Sequence, residues 1–272
     1  MSVRFWGVRG SIPSPGPRTA RYGGNTSCIE VRCGTELLIF DLGTGVRALG
    51  EQLPRPVIGH VFVSHYHYDH LQGLPFFTPI FDPTSRLVFH GPTRNGQEIS
   101  QIISGQMQQP YFPVTTEMVF KAKVSYQPVA EGDRLTFGDA VVTALELNHP
   151  GKSMAYRVDY RGRSIVYATD NEHEENADQR LITFAKHCDM LIYDAMYTDA
   201  EYLGKTGSTK VGWGHSTWQH GVRIANKAQV KMLALFHHEP TRDDASMNRM
   251  LRTVRKHRKA TFAAKELQRV EL

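Results

Sequence analysis

The stretch V-F-V-S-H-Y-H-Y-D-H-L-Q-G-L, residues 61–74, decides the fold of this chain. It begins as an apolar, β-branched run typical of a buried strand, and then places His65, His67, Asp69 and His70 close together. Neutral imidazole and carboxylate groups are suitable ligands for Zn²⁺. A tight turn after a strand can aim the first two histidines at one point and the other two residues at a second. The stretch therefore predicts ligands for two metal ions.

Two metal ions need more ligands than this stretch supplies. Three later apolar runs each stop at a side chain that can bind a metal. They are residues 140–147 before His149, residues 164–168 before Asp170, and residues 231–236 before His237 and His238. Loops at one edge of a sheet can bring such residues together into one site.

This combination of motifs resembles the metallo-β-lactamase fold, and the resemblance covers nearly the whole chain. It implies an α/β (α+β) protein, a four-layer αββα sandwich with a di-zinc centre at one edge. We therefore expect a single hydrolase domain over residues 1–272, with a lid or dimerisation insertion at about 76–118.

The resemblance also implies how the ligands are divided between the two ions. One ion would be bound by His65, His67 and His149, the other by Asp69, His70 and His237, with Asp170 as the bridge. His238 is the alternative to His237 as the last metal ligand. Asp41 would lie beneath the ligand loop and orient one of the histidines. The expected cofactors are two Zn²⁺ ions, with Mn²⁺ as a possible replacement.

A second motif is G-H-S-T at residues 214–217, followed by a predicted helix to about residue 228 that Ser216 or Thr217 can cap. Within the metallo-β-lactamase fold, this order resembles the phosphodiesterase branch, which includes ribonuclease Z and smaller cyclic-phosphate hydrolases. In that branch a histidine at the place of His215 is oriented by a carboxylate at the place of Asp194, where ribonuclease Z typically has Glu.

The same resemblance implies which groups carry out each step of catalysis. Two zinc ions, with Asp69 beside them, would activate a hydroxide for attack on phosphorus. His215, held by Asp194, would protonate the leaving oxygen as a general acid. The alternative is that His215 serves only as a cap or packing residue at the start of a helix.

Four short motifs suggest a substrate: G-V-R-G-S-I-P, Y-G-G-N-T-S-C, T-D-N-E and F-H-H-E-P. Together they resemble the small bacterial and phage phosphodiesterases that degrade cyclic nucleotides, including the anti-Pycsar type. We expect hydrolysis of 3′,5′-cyclic nucleotides to nucleoside monophosphates. His149 and Asp170 are only 21 positions apart, which leaves no room for the long arm with which ribonuclease Z grips tRNA. The alternatives are a ribonuclease Z-like RNA-processing nuclease and a thioesterase or lactonase.

Two segments are candidates for substrate contact. The glycines of Y-G-G-N allow close backbone approach, which makes Gly24 and Asn25 candidates, although glycine can equally serve a turn. Tyr111 and Phe112 could stack on a nucleobase, fill a core or pack on a partner subunit. Because loop 105–114 is apolar, we expect a homodimer in which it reaches a neighbouring active site.

Composition sets the remaining limits. A formal net charge of +5 favours an anionic substrate but is too mild and scattered to indicate duplex DNA. Basic residues in a predicted helix at 241–259 indicate a solvated face or a contact with RNA or phosphate. No apolar run reaches the roughly 18–20 residues that span a bilayer, so we expect a soluble, cytoplasmic protein without membrane partners. Cys28, Cys33 and Cys188 are expected to be buried free thiols.

Overall fold

The computed structural model describes residues 1–272, except for the side chains of residues 175–177. Its described strands form two sheets of seven strands each. The first sheet contains β1 (Ser2–Gly7), β2 (Cys28–Cys33), β3 (Glu36–Phe40), β4 (Ile58–Phe62), β5 (Arg86–Gly91), β6 (Lys123–Pro128) and β14 (Arg269–Glu271). Their order across the sheet is β14-β1-β2-β3-β4-β5-β6.

The second sheet follows the order β13-β12-β11-β10-β9-β8-β7. Its strands are β7 (Arg134–Phe137), β8 (Ala140–Leu147), β9 (Ser153–Tyr160), β10 (Arg163–Ala168), β11 (Met190–Asp194), β12 (Met232–Phe236) and β13 (Thr261–Ala263). The four strands from β10 to β13 pair in parallel, so their carboxyl ends lie at one edge.

Helices cover the outer faces of both sheets. They are α1 (Gly45–Gln52), α2 (Tyr68–Leu71), α3 (Ile99–Gln106), α4 (Thr116–Val119), α5 (Glu175–Phe184), α6 (Asp199–Tyr202), α7 (Trp218–Lys227) and α8 (Asp244–His257), with 3-10 turns at Leu74–Phe76 and Thr78–Phe81. One apolar core lies between the sheets, a second lies beneath α1 and α3, and a third lies beneath α5, α7 and α8. This layering confirms the metallo-β-lactamase fold.

The packing follows from the sequence pattern. Both faces of β4 are covered at its carboxyl end, which explains why this end and the residues after it form a continuous apolar run. Phe62 packs between the sheets against the ring of Phe40, with ring centroids 5.2 Å apart. Burying such a side chain contributes about 1.5–3 kcal/mol. Val61 and Val63 face the opposite way, toward α1 and α3.

The region at 76–118, expected to form a lid or dimerisation insertion, holds several elements. It contains β5, a strand inside the first sheet, so the segment outside the sheets is shorter. Residues 94 and 97 exchange backbone hydrogen bonds in a turn, and α3 begins after it at Ile99. Glu98 then caps α3 through a capping box with Gln101.

Two further observations bear on predictions from composition. Cys28, Cys33 and Cys188 are buried free thiols, as expected. Every helix of the described residues is too short or too polar to cross a lipid bilayer.

Candidate metal centre and active site

Four loops meet at one edge of the two sheets. They follow β4, β8, β10 and β12, and they carry all seven predicted metal ligands. Asp170 lies two residues past the end of β10, and His237 directly follows β12. Parallel pairing of β10, β11 and β12 aligns these ends, which explains how residues far apart in sequence form one cluster.

The first group of candidate ligands is His65, His67, His149 and Asp170, whose ligand atoms all lie within 4.8 Å of one another. His149 Nε2 is 3.1 Å from His67 Nδ1. His65 Nε2 is 3.5 Å from Asp170 Oδ2 and is buried without a hydrogen-bond partner among the described residues. Two ligands about 2.0–2.2 Å from a tetrahedral Zn²⁺ lie about 3.3–3.6 Å apart, so these spacings are close to those around a bound ion.

The second group is Asp69, His70, Asp170 and His237, again within 4.8 Å. Asp69 Oδ2 lies 3.3 Å from His70 Nε2 and 3.0 Å from His237 Nε2. Burial alone would raise the pKa of Asp69, but these two imidazoles hold it well below its usual range. The carboxylate is therefore ionised, which is the form that binds a metal.

Asp170 is common to both groups, and its two oxygens face different ones. Oδ2 lies 3.5 Å from His65 Nε2 and 3.9 Å from His149 Nε2. Oδ1 lies 3.2 Å from both His70 Nε2 and His237 Nε2. This placement fits the predicted bridge between two ions. The fold and the donor set together indicate divalent metal binding.

The backbone at the cluster is strained. Asp41, Asp170 and His237 have φ values of 63°, 53° and 56°, in the left-handed region that residues other than glycine rarely occupy. Gly10 approaches the His237 ring so closely that a Cβ there would lie 2.4 Å from its Nδ1. The strain and the close approach together fix the direction of the ligand side chains.

Asp41 lies beneath the ligand loop, as the resemblance implies. Its Oδ2 accepts hydrogen bonds from His70 Nδ1 at 2.8 Å, the Ser64 hydroxyl at 2.8 Å and the Tyr167 hydroxyl at 2.7 Å. Its Oδ1 accepts from the backbone N–H of Ser64 at 2.7 Å. The bond to Nδ1 leaves Nε2 of His70 to face the second group of ligands.

The two adjacent histidines of F-H-H-E-P have separate environments. His237 Nε2 faces the cluster, whereas His238 Nε2 donates to the carbonyl of Ala264 at 2.8 Å. Burial, together with the nearby Arg9 guanidinium, lowers the pKa of His238 to about 3. The structure thus brings the first of the pair into the site and uses the second for packing.

His215 forms a dyad with Asp194 at the side of the cluster. Its Nδ1 lies 2.9 Å from Asp194 Oδ2, and the ring stacks on His237 with centroids 4.9 Å apart. Burial alone would lower the pKa of His215, but the Asp194 carboxylate outweighs it and raises this pKa to about 9. In the metal-free protein, the ring is therefore protonated at neutral pH. The helix cap is provided by Thr217, not by His215.

Glu172 is a supporting residue that sequence reasoning missed. Its carboxylate accepts hydrogen bonds from the backbone N–H groups of Gly212 and Gly214 and from the Tyr202 hydroxyl. The Gly214 carbonyl in turn lies 2.8 Å from His149 Nδ1. The T-D-N-E motif thus holds the loop that orients a candidate ligand. Its place two residues after Asp170 was the available signal.

A cavity of about 300 Å³ opens above the cluster. Its lining includes Asp69, Asp170 and His215, together with Ser11 and Tyr68, which sequence reasoning missed. The backbone N–H of Ser11 donates to Asp69 Oδ2 at 2.7 Å. The cavity therefore brings the candidate ligands and the candidate acid together around one space for a substrate.

None of the four predicted substrate residues, Gly24, Asn25, Tyr111 and Phe112, lines this cavity. Gly24 and Asn25 instead contact other segments of the protein. Asn25 hydrogen-bonds Glu266 through both its backbone N–H and its side chain, and a Cβ at Gly24 would lie 2.4 Å from the carbonyl oxygen of Ser14. The close approach that glycine permits is thus between segments of the protein itself.

The two aromatic residues of the lid segment, Tyr111 and Phe112, lie in different surroundings. Tyr111 lines a second cavity, of about 420 Å³, which shares Tyr66 and Tyr68 with the cavity over the cluster. Phe112 lines neither described cavity, and its ring packs edge-on to Phe76, with centroids 6.3 Å apart.

Comparison with known proteins places this architecture in a family. Residues 38–238 match the model of the beta-lactamase superfamily domain. The chain is 24% identical to ribonuclease Z of Pyrococcus furiosus, over 88% of this chain and 87% of that protein.

Solved structures share the fold over the full length. The metallo-beta-lactamase fold protein YhfI from Bacillus subtilis superposes with a TM-score of 0.76 at 19% identity, covering 100% of this chain and 98% of that one. The short form of human tRNase Z superposes with a TM-score of 0.71 at 21% identity, covering 100% and 99%.

Proposed function

Because the chain belongs to the beta-lactamase superfamily domain family, we propose that it is a di-zinc phosphodiesterase that hydrolyses 3′,5′-cyclic nucleotides to nucleoside monophosphates. The observation that carries the proposal is the His215–Asp194 dyad in the same cavity as the two candidate ligand groups. A proton donor beside a metal cluster suits a reaction whose leaving group is an alkoxide.

The residues fit two divalent ions, with Asp170 between them, His65, His67 and His149 on one side, and Asp69, His70 and His237 on the other. When bound, such ions activate water for attack and neutralise the charge of a phosphodiester. Mn²⁺ could replace Zn²⁺ in a set of imidazoles and carboxylates.

A side chain of the protein supplies the proton that the leaving 3′-oxygen needs. The Asp194 carboxylate accepts the Nδ1 hydrogen of His215, which leaves Nε2 for the cavity that this ring lines. As water oxygen bonds to phosphorus and the bond from phosphorus to the 3′-oxygen breaks, Nε2 delivers its proton to that oxygen. The product is a nucleoside 5′-monophosphate, and the proton that the attacking water loses returns to Nε2, so His215 is protonated again for the next turnover.

A small substrate is supported by the connection between His149 and Asp170. Only a hairpin, β9 and β10, with its turns lies between them in the described structure. A second candidate function, an RNA-processing nuclease, is favoured by the ribonuclease Z relative. The aligned span with that relative, 292 positions, exceeds the 272 residues of this chain, so the relative has residues without a counterpart here.

A substrate panel tests the proposal. It contains cyclic mononucleotides, cyclic dinucleotides, precursor tRNA, an acyl-thioester and a lactone, each assayed with wild type, His215→Ala and the control His257→Ala, which changes an exposed histidine on α8. We expect cyclic-nucleotide hydrolysis that falls about 10²–10⁴-fold in His215→Ala alone.

Two outcomes would contradict the proposal. Cleavage of precursor tRNA without turnover of any cyclic nucleotide would favour the nuclease. Thioester or lactone turnover that is insensitive to His215→Ala would place the protein among the other hydrolases of this fold.

A further inference from the structure

A second cavity, of about 420 Å³, lies beside the candidate metal centre. Tyr66 and Tyr68 line both this cavity and the one that contains Asp170 and His215, so the two spaces adjoin. The volume lies within the roughly 300–1,000 Å³ typical of small-molecule sites. A phosphodiester held over the metals would therefore extend the rest of its structure in this direction.

Three of the seven residues that line this second cavity are tyrosines. The Tyr66 hydroxyl donates to the carbonyl of Pro92 at 2.6 Å, which fixes the ring. Tyr68 and Tyr111 are 77% and 82% exposed, although large aromatic rings gain free energy when they are covered. Such exposed flat faces suit stacking on a planar heterocycle.

One polar atom in the cavity is unexplained by the fold. Gln106 lies at the end of α3 and lines the cavity, and its Oε1 is buried without a hydrogen-bond partner among the described residues. Buried acceptors are almost always paired, so an unpaired one in a residue that lines a cavity is available to a donor group of a ligand. A side-chain amide also offers N–H beside C=O, the pattern that matches the edge of a nucleobase.

We propose that this cavity is a nucleobase subsite, in which the Gln106 amide hydrogen-bonds the base edge and Tyr68 and Tyr111 cover its faces. The inference rests on the proposed function, because it assigns the part of the substrate that the metal centre does not hold. The subsite makes the enzyme selective for phosphodiesters that carry a nucleobase.

Gly105 provides a steric test of the same subsite. It lines the cavity, and a Cβ added there meets nothing within 4 Å. It lies in α3 without a positive φ, so the helix accepts other residues. Gly105→Leu would project a side chain into this space, whereas Gly105→Ala would leave most of it free.

The experiment compares a base-containing and a base-free substrate: adenosine and uridine 3′,5′-cyclic monophosphates against ribose 3′,5′-cyclic phosphate, with the metal-loaded enzyme. Gln106→Met keeps the length of the side chain and removes the amide. We expect kcat/KM for cyclic nucleotides to fall about 3- to 10-fold in Gln106→Met and about 5- to 100-fold in Tyr111→Ala. Gly105→Leu should reduce it further, Gly105→Ala should change it little, and hydrolysis of the base-free substrate should stay unchanged throughout.

An equal loss on the base-free substrate, or no loss on cyclic nucleotides, would overturn the subsite. Calorimetric binding of uridine 5′-monophosphate and ribose 5-phosphate to the metal-loaded wild type and Gln106→Met requires no turnover. If both compounds bind wild type equally, the subsite is wrong even if cyclic nucleotides are hydrolysed. If the nucleotide binds more tightly, with a difference that Gln106→Met removes, the subsite stands even where no cyclic nucleotide is hydrolysed.

Discussion

Replacing Asp41 with Asn would test how the second ligand group is oriented. Asn has nearly the same shape and tolerates the φ of 63° at this position, so the backbone should not change. What changes is the hydrogen bonding, because the carboxylate accepts four bonds: two from Ser64 and one each from His70 and Tyr167.

The magnitude follows from these contacts. The best placement of the amide keeps its oxygen toward the three donors at Oδ2 and turns its NH₂ toward the backbone N–H of Ser64. That buried N–H then loses its acceptor, at a cost of about 1–3 kcal/mol. The three remaining bonds change from an ionised to a neutral acceptor, which roughly halves each one. We expect the free energy of unfolding of the metal-free protein to fall by about 2–5 kcal/mol, and metal affinity to fall about 10- to 100-fold.

Tyr167→Phe is the matched control, since it removes one donor to Asp41 and leaves His70 with its acceptor. It should lower the free energy of unfolding by about 1–3 kcal/mol and leave metal affinity nearly unchanged. Urea unfolding and a chelator competition titration measure the two quantities. If Asp41→Asn bound zinc as tightly as wild type, or if both variants lost affinity equally, the orienting role of Asp41 would be refuted.

Three further results are expected. Asp170→Ala should lose both ions, measured by metal analysis, and retention of both with full activity would exclude the bridge. In the metal-free protein, the pKa of His215 is raised to about 9. Its protonated ring therefore stabilises the fold fully below pH 6.5, and this contribution is lost as the pH rises through 9. Relative to His215→Gln, wild type should therefore lose roughly 3 kcal/mol of unfolding free energy between pH 6 and 10 in urea titrations, and a constant difference would contradict this. Light scattering should show a homodimer, and a monomer at micromolar concentration would contradict this expectation.

The candidate site could be predicted largely because its residues directly follow apolar strands. Strand type and ligand identity are both local signals, and parallel pairing of β10, β11 and β12 then brings Asp170 and His237 to one edge. The choice between His237 and His238 is not local. It depends on the positive φ of His237 and on the carbonyl of Ala264, which is distant in sequence.

Other features of the fold and of the site could not be predicted from any short stretch of sequence. Asn25 pairs with Glu266, 241 positions away, so no short motif could show that this turn is structural. β6 and β7 were not predicted because they lie at sheet edges, where exposed and half-buried residues alternate without an apolar run. The proposed roles of Tyr68 and Gln106 can be inferred only from the structure, in which α2 and α3 place both residues beside the same cavity.

The most direct test of the central claim, a two-metal phosphodiesterase, is a zinc titration of metal-free protein while hydrolysis of a 3′,5′-cyclic nucleotide is measured. Activity should rise until two equivalents of zinc per chain are bound, and then remain constant, because the two ligand groups share Asp170 and act together. Full activity at one equivalent, or without metal, would contradict it.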